Sequence, residues 1–457
     1  MLGMLSSLIN KYNIAGPRYT SYPTVPYWNQ DSFSLVNWKN SLIKSFNESN
    51  SKEGISLYIH LPYCESLCTF CGCNKRITKQ HSVESPYINA VLKEWDLYLK
   101  WFDEKPIIKE LHLGGGTPTF FSPENLKRLI RGILKHAKCA ENYEFSFEGH
   151  PNNTTPEHLQ ALYDVGFRRV SYGVQDYNET VQKAIHRIQP FKHVKRATET
   201  ARAIGYTSVG HDIIFGLPFQ TLKHVKETVL KTKALLPDRL AFYSYAHVPW
   251  IKGNGQRGFC DSDLPSAELK RQQYELGKQL LGEVGYEEIG MDHFALKTDT
   301  LYKSMINGRL HRNFMGYTAS KTQAMIGLGV SSISDSWYGF SQNEKSIEAY
   351  YNLLEENIIP VYRGHILNEE DLIIRKHILN LMCQFKTNWT PNYLYFKELP
   401  DVLIQLNEME KDGLLNINSN SIEVTLKGQP FVRNICMAFD VLLQRKQPHT
   451  QLFSMTV

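Results

Sequence analysis

Several things are scarce in this chain of 457 residues. No run approaches the roughly 18 consecutive apolar residues of a membrane-spanning helix, so none is expected. Met1 to Gly16 holds a short apolar stretch, but it has neither the basic start nor the long apolar core of a secretory signal. Net charge is scarce too. The 51 Lys and Arg stand against 46 Asp and Glu, which leaves +5. That balance does not demand nucleic acid and suits an anionic small molecule. There is no internal repeat and no low-complexity tract, so solenoid and disordered readings fall away. Cysteine is also rare at eight residues, too few for a disulfide framework at this length. The expectation is a soluble, cytoplasmic protein with no nucleic-acid or membrane partner.

What is present points to a large α/β protein. Hydrophobic residues make up 42% and charged residues 21%, close to the globular average. The length suits one barrel-like domain of about 250 residues with a smaller companion. From Ile55 a rhythm begins. Apolar, β-rich runs at 55–61, 107–113, 143–148, 168–174, 207–215 and 239–245 alternate with helical patterns. The helical patterns lie at 84–102, 123–138, 156–165, 177–186, 191–204 and 220–235. Such spacing predicts βα units in a parallel sheet, an incomplete barrel or strongly curved sheet with its site at the strand C-terminal ends.

The flanks read differently. Pro17 to Thr24, with two prolines and three hydroxyl residues, predicts an extended N-terminal arm within residues 1–50. Residues 265–282 look helical, and glycine-rich segments around 285–293 and 327–333 look like strand or loop closing the sheet. Residues 51–360 are expected to form the catalytic domain. Residues 361–457 predict a smaller, mostly helical, winged-helix-like domain with helices at 369–385, 401–411 and 429–445 and a hairpin at 413–425.

Four of the eight cysteines fall within ten residues. Cys64, Cys68, Cys71 and Cys73 form C-x3-C-x2-C-x-C directly after the first strand run. Thiolates grouped this tightly hold a soft metal centre, with zinc and iron–sulfur the main candidates. A structural zinc draws its ligands from two separated pairs, and no second Cys/His pair stands at the right spacing. The x3-x2 spacing lets three thiolates wrap one face of a [4Fe-4S] cube and leaves the fourth iron open to a substrate or cofactor. Cys73 has poor reach from two residues beyond Cys71. Unrelated buried thiols are the bland alternative. Further on, Gly114-Gly115-Gly116-Thr117 closes the second strand run, where glycines permit close backbone approach to a polar ligand, or simply make a tight turn.

C-x3-C-x2-C after the first strand of a βα array resembles the radical S-adenosylmethionine (SAM) superfamily. The resemblance implies that Cys64, Cys68 and Cys71 ligate the cluster. It also implies that the open iron chelates SAM, whose reductive cleavage yields a 5′-deoxyadenosyl radical. Further landmarks are similar to the oxygen-independent coproporphyrinogen III oxidase family. They are the 17–24 arm, Cys73, Gly173-Val174-Gln175-Asp176, Asp212 to Pro218, Tyr245-Ala246-His247, Gly290 to Phe294, Leu310 to Phe314, Gly329 to Ile333 and Arg433 to Met437. Nearly the whole chain is covered in order.

That family oxidatively decarboxylates two propionates of coproporphyrinogen III to vinyl groups, giving protoporphyrinogen IX, with two SAM per active site. The resemblance implies SAM contacts at Tyr58, Gly115, Gly116, Thr117, Glu148, Gln175, Arg187, Asp212, Ala246 and Ile333, and a catalytic part for Cys73 outside the ligand set. It also implies an electron donor for the cluster, a terminal electron acceptor and a monomer. Bland readings stand beside these: a helix cap for Glu148, a surface charge for Arg187, plain core for Tyr58. Arg18, His311 and Arg312 are candidates for the substrate's carboxylates, since arginine pairs with them in a bidentate manner. A haem-binding chaperone of the same superfamily and a radical-SAM methyltransferase or cyclopropanase are the alternatives. The arm and Cys73 argue for the decarboxylase. The chain departs from the family pattern at Gly149-His150, across Thr318 to Gly327 where an acidic stretch is expected, and at Met455, where an Arg is often found.

Overall fold

Ile55, Leu57, Ile59 and Leu61 on one face of the first strand are fully buried, and Ser56 and His60 on the other are buried as well, as a strand covered on both faces of a parallel sheet requires. The structure is a computed structural model describing residues 2–29, 31, 33–250, 255–256, 258–446, 450 and 452–456. Strands β1 (Ile55–Leu61), β2 (Ile107–Gly115), β3 (Lys138–Gly149), β4 (Arg169–Gln175), β5 (Ser208–Phe215) and β6 (Arg239–Ser244) lie side by side in chain order. Each neighbouring pair is parallel.

Strands β7 (Tyr286–Gly290) and β8 (His293–Leu296) form a hairpin that joins β6 antiparallel, through β8. On the other side of β1, β9 (Met325–Leu328) runs parallel to it and sets Tyr58 opposite Gly327. Strands β10 (Ile333–Asp335), β11 (Gly339–Asn343) and β12 (Val361–Ile366) continue antiparallel. The result is one twelve-stranded sheet with β7 and β12 at its ends, an incomplete barrel. The segments expected to close the sheet lengthen it instead. The chain reverses after β7 and again after β9, so each glycine-rich segment adds antiparallel strands to one wing.

Helices α1 (Leu2–Tyr12) and α2 (Leu35–Ser49) precede the sheet. The crossover helices are α3 (Glu84–Leu99), α4 (Pro123–Leu134), α5 (Pro156–Asp164), α6 (Glu179–Ala184), α7 (Phe191–Ile204) and α8 (Leu222–Leu235), with α9 (Ala267–Gly282) following β6, α10 (Thr300–Ile306) following β8 and α11 (Ile347–Glu355) following β11. Their starts are legible in side chains. Ser122 caps α4, and Thr155 and Thr221 form capping boxes with His158 and His224. On α4, Leu126, Leu129, Ile130 and Ile133 face the sheet core with Leu111, Phe145 and Phe147.

A second core joins the two ends of the chain. Leu8, Tyr12, Tyr19 and Tyr22 pack with residues of α12 (Glu369–Gln384), α13 (Leu399–Lys411) and α14 (Val432–Phe439). The hairpin Leu415–Ile417 with Ser421–Val424 is present and gains a third strand, Lys386–Asn388, in the manner of a wing. The helix expected over 429–445 is interrupted at Asp440. Its side chain accepts from Leu443 N at 2.9 Å and from Tyr19 Oη at 3.2 Å, a local competition with the helical pattern that aspartate is prone to. Among the described residues, no helix is long and apolar enough to cross a membrane.

Candidate active site

The strand ends converge as parallel α/β sheets do. Cys64, Cys68, Cys71 and Cys73 line a cleft of about 950 Å³ together with Gly115, Gly116, Thr117, Glu148, Gln175, Arg187 and Asp212. The cysteine loop follows β1 directly, and its thiols sit among cationic groups. Arg187 Nη1 lies 3.6 Å from Cys68 Sγ. Lys75 Nζ donates to the carbonyls of Cys71 at 3.2 Å and Cys73 at 3.3 Å. Thr117 Oγ1 is 3.4 Å from Cys64 Sγ. Burial raises the Cys64 thiol to about 11, whereas the neighbouring Cys73 thiol holds Cys71 below the ordinary thiol range.

The donor set tests the metal readings. Among the described residues, no three Cys, His, Asp or Glu side chains gather on a single point as one ion requires. Three thiols of one loop, each available to a different iron and flanked by Arg187 and Lys75, fit an anionic [4Fe-4S] cluster. Cys64, Cys68 and Cys71 are the residues that would hold it.

The glycine turn after β2 has a steric cause. Gly115 has φ +113, and a Cβ there would stand 2.7 Å from the His60 ring. A Cβ at Gly116 would stand 2.7 Å from the Pro62 backbone. Only glycine lets this backbone reach the cleft beside the cysteine loop. Glu148, at the end of β3, is opposed in two ways. Burial would raise its pKa, but His112 and the Gly115 N–H outweigh that and hold it below its ordinary value. The corresponding distances are 3.5 Å to His112 Nε2 and 3.4 Å to Gly115 N. Among the described residues, the Asp212 carboxylate has only Ser171 Oγ as a hydrogen-bond partner, at 3.1 Å. Burial first, and repulsion from Glu148 second, raise it to about 7.

The other expected contacts lie around this cleft. Tyr58 stacks on His112 at 6.1 Å and its hydroxyl is 3.1 Å from His60 Nδ1. Ile333 is off the cleft lining but on the Tyr58 side of the sheet. Gly327 is in register with Tyr58, and a Cβ on Gly327 would stand 2.5 Å from the Ile333 carbonyl. Ala246 lines a neighbouring cavity of about 1140 Å³ at the ends of β5 and β6, which also holds Arg18. The Gln256 amide links the two regions by donating to the carbonyls of Phe70 at 3.1 Å and Ala246 at 3.0 Å. Arg18 is ion-paired with Asp292. Arg312 is 6% exposed, stacks over Tyr317 and donates to the Arg18 carbonyl. Its Nε and Nη1 find no partner among the described residues. His311 lines a separate hollow with Lys321 and Trp337, so it does not join the others.

Sequence reasoning passed over Phe70 and Asn153, which line the cysteine cleft, and His112, which braces Glu148. Phe70 is a spacer inside the cysteine motif, and Asn153 and His112 stand in none. His112 could have been found from period-two alternation in β2, which puts it on the same face as Glu110 and Gly114.

Residues 58–231 match the radical SAM superfamily. Over 99% of this chain and 98% of the relative, the sequence is 38% identical to the oxygen-independent coproporphyrinogen III oxidase of Synechocystis. The chain belongs to the oxygen-independent coproporphyrinogen III oxidase family. The Escherichia coli K12 relative of the same name is 37% identical over 96% of each chain. The solved structure of coproporphyrinogen III oxidase from Escherichia coli, described as a radical SAM enzyme, superposes with a TM-score of 0.88 at 35% identity, covering 95% of this chain and 98% of that one.

The three departures from the family pattern have physical settings. His150 lines the cysteine cleft and is driven down to about 3 by burial and by Arg187, so it is neutral there. In the 318–327 stretch, Thr318 donates to Glu110, Ser56 Oγ donates to the same carboxylate at 2.8 Å, and Thr322 Oγ1 is 2.6 Å from Ser56 Oγ. Glu110 is buried with its pKa raised, so hydroxyls satisfy it where further carboxylates would repel it. Met455 lines the Arg18 cavity, and its carbonyl accepts from Arg433 at 3.0 Å.

Proposed function

We propose that this chain oxidatively decarboxylates two propionates of coproporphyrinogen III to vinyl groups, giving protoporphyrinogen IX in oxygen-independent haem biosynthesis. The observation that carries this reading is near full-length similarity to the coproporphyrinogen family combined with three loop thiols in one cleft with Glu148, Gln175, Arg187 and Asp212. A [4Fe-4S] cluster and SAM supply, when bound, a 5′-deoxyadenosyl radical that takes a hydrogen atom from an unactivated carbon. Each propionate then loses that hydrogen atom and CO2, and one electron leaves for an acceptor. Two SAM are used per product, both held in the same active site.

The chain's own residues bind and orient. Cys64, Cys68 and Cys71 hold the cluster, and Cys73 acts outside the ligand set. Glu148, kept ionised by His112, receives the SAM ammonium, and the Gly115-Gly116 backbone lets that group approach. Asp212 accepts a ribose hydroxyl, and Tyr58, Gln175, Arg187, Ala246 and Ile333 complete the contacts to the two SAM molecules. Arg18 and Arg312 are the candidates for substrate carboxylates. An electron donor and a terminal acceptor complete the reaction. The protein is proposed to be a cytoplasmic monomer that uses neither nucleic acid nor membrane.

The test is anaerobic reconstitution, reduction and incubation with coproporphyrinogen III, SAM and an electron acceptor. The expected yield is two methionines and two CO2 per protoporphyrinogen IX. Cluster-dependent SAM cleavage without vinyl product, on this substrate and with the acceptor present, would overturn the substrate. Haem retention without turnover would favour the chaperone reading.

A further inference from the structure

The cavity beyond Ala246 has a charge that the fold leaves uncompensated. Four cations line it: Arg18, Lys270, Arg271 and Arg433. Three are engaged. Arg18 is paired with Asp292 and Arg271 with Glu275. Arg433 donates to the carbonyls of Gly16, Pro17, Met455 and Thr456. The other carboxylate of the lining, Glu288, is taken by Tyr274 and Lys278. Lys270 differs. Among the described residues its ammonium meets one acceptor, the Tyr245 carbonyl at 3.2 Å, and no carboxylate.

Its position is built in. Gly216, directly after β5, has φ +80, and a Cβ there would stand 2.7 Å from Lys270 Cε. The lysine stem from α9 therefore runs over the bare face of Gly216 and brings the ammonium to the cavity lining. Burial first, then Arg18 and Arg433, press its pKa down to about 8 against the pull of Asp292. An anion arriving beside it relieves that stress. Around the ammonium, Phe215, Tyr245, Tyr274 and Val432 supply an apolar wall of the kind a macrocycle needs and a small hydrated anion does not.

We propose that this cavity seats a carboxylate of the tetrapyrrole substrate on Lys270 Nζ, and that Lys270 is a specificity-determining residue that selects the polycarboxylate. This deepens the functional reading above and rests on it. Motif reading put forward only Arg18, His311 and Arg312 for this role. The structure finds Arg18 already paired, His311 in a separate hollow, and Arg312 buried behind the arm.

The test uses the reconstituted full-length protein and two probes, coproporphyrin III as the tetra-acid and its uncharged tetramethyl ester. For Lys270→Met, which keeps the stem, the tetra-acid Kd and the coproporphyrinogen KM should rise about tenfold or more, equivalent to about 1.4 kcal/mol. Ester binding should be unchanged, and Lys270→Arg should recover most of the loss. Unchanged tetra-acid affinity in Lys270→Met would overturn the proposal. So would an equal loss for acid and ester, which marks structural damage. If the unaltered protein neither binds the tetra-acid nor makes vinyl product, the functional reading fails and takes this proposal with it.

Discussion

Cys71 and Cys73 are two residues apart and line the same cleft. At this scale the expected outcomes separate cleanly. Cys64→Ala should fail to retain the iron–sulfur chromophore after anaerobic reconstitution. Cys73→Ala should keep the chromophore and SAM binding while forming no vinyl product. Loss of the cluster in the Cys73 variant would make it a ligand. The motif announced all four cysteines, because ligand spacing is local in sequence. Lys270 could not be found that way, since its significance comes from Gly216, Tyr245 and the pairing of its neighbours, all distant in the chain.

Helix α3 carries a polar rivet in the middle of its buried face. Glu94 is fully buried. It accepts from Gly329 N at 2.7 Å, Tyr350 Oη at 2.6 Å and Asn343 Nδ2 at 2.6 Å. Burial raises it to about 7 against these three donors. The contacts fasten α3 to the turn after β9, to β11 and to α11 (Ile347–Glu355). Glu94→Ala would strand two buried donors, Gly329 N–H and Tyr350 Oη–H, at about 1–3 kcal/mol each, while the Asn343 amide keeps Gly329 O and Ser332 Oγ. A loss of about 3 kcal/mol or more in denaturant unfolding of the apoprotein is expected, and a smaller one for Glu94→Gln, which retains an accepting oxygen. Equal stability for Glu94→Ala and the unaltered protein would refute this role. A charged residue in an amphipathic helix reads as a surface position in sequence. Only the packing of the β9 turn across α3 shows otherwise.

Across the whole molecule, Arg433 ties both chain ends together. From α14 it reaches Gly16 and Pro17 on one side and Met455 and Thr456 on the other, while Ala15 bridges to Met455. Its burial presses its pKa down to about 9, yet four carbonyls surround the guanidinium. Arg433→Ala should lower apoprotein stability by about 3 kcal/mol and speed proteolytic release of the arm near residues 13–24. Arg433→Lys should recover only part, since an ammonium cannot span the fork. Unchanged proteolysis would show that the second core alone holds the ends.

The chain by itself determined the six parallel strands, their intervening helices, the cysteine motif and the family. These rest on alternation, caps and ligand spacing, each written within a few dozen residues. Tertiary structure decided what joins distant segments. It extended the sheet into antiparallel wings, interrupted the last long helix at Asp440, set His112 against Glu148, and left His311 in a separate hollow. It also decided which cations around the Ala246 cavity are already neutralised. Charge compensation depends on distances between side chains hundreds of residues apart, and no local pattern encodes it.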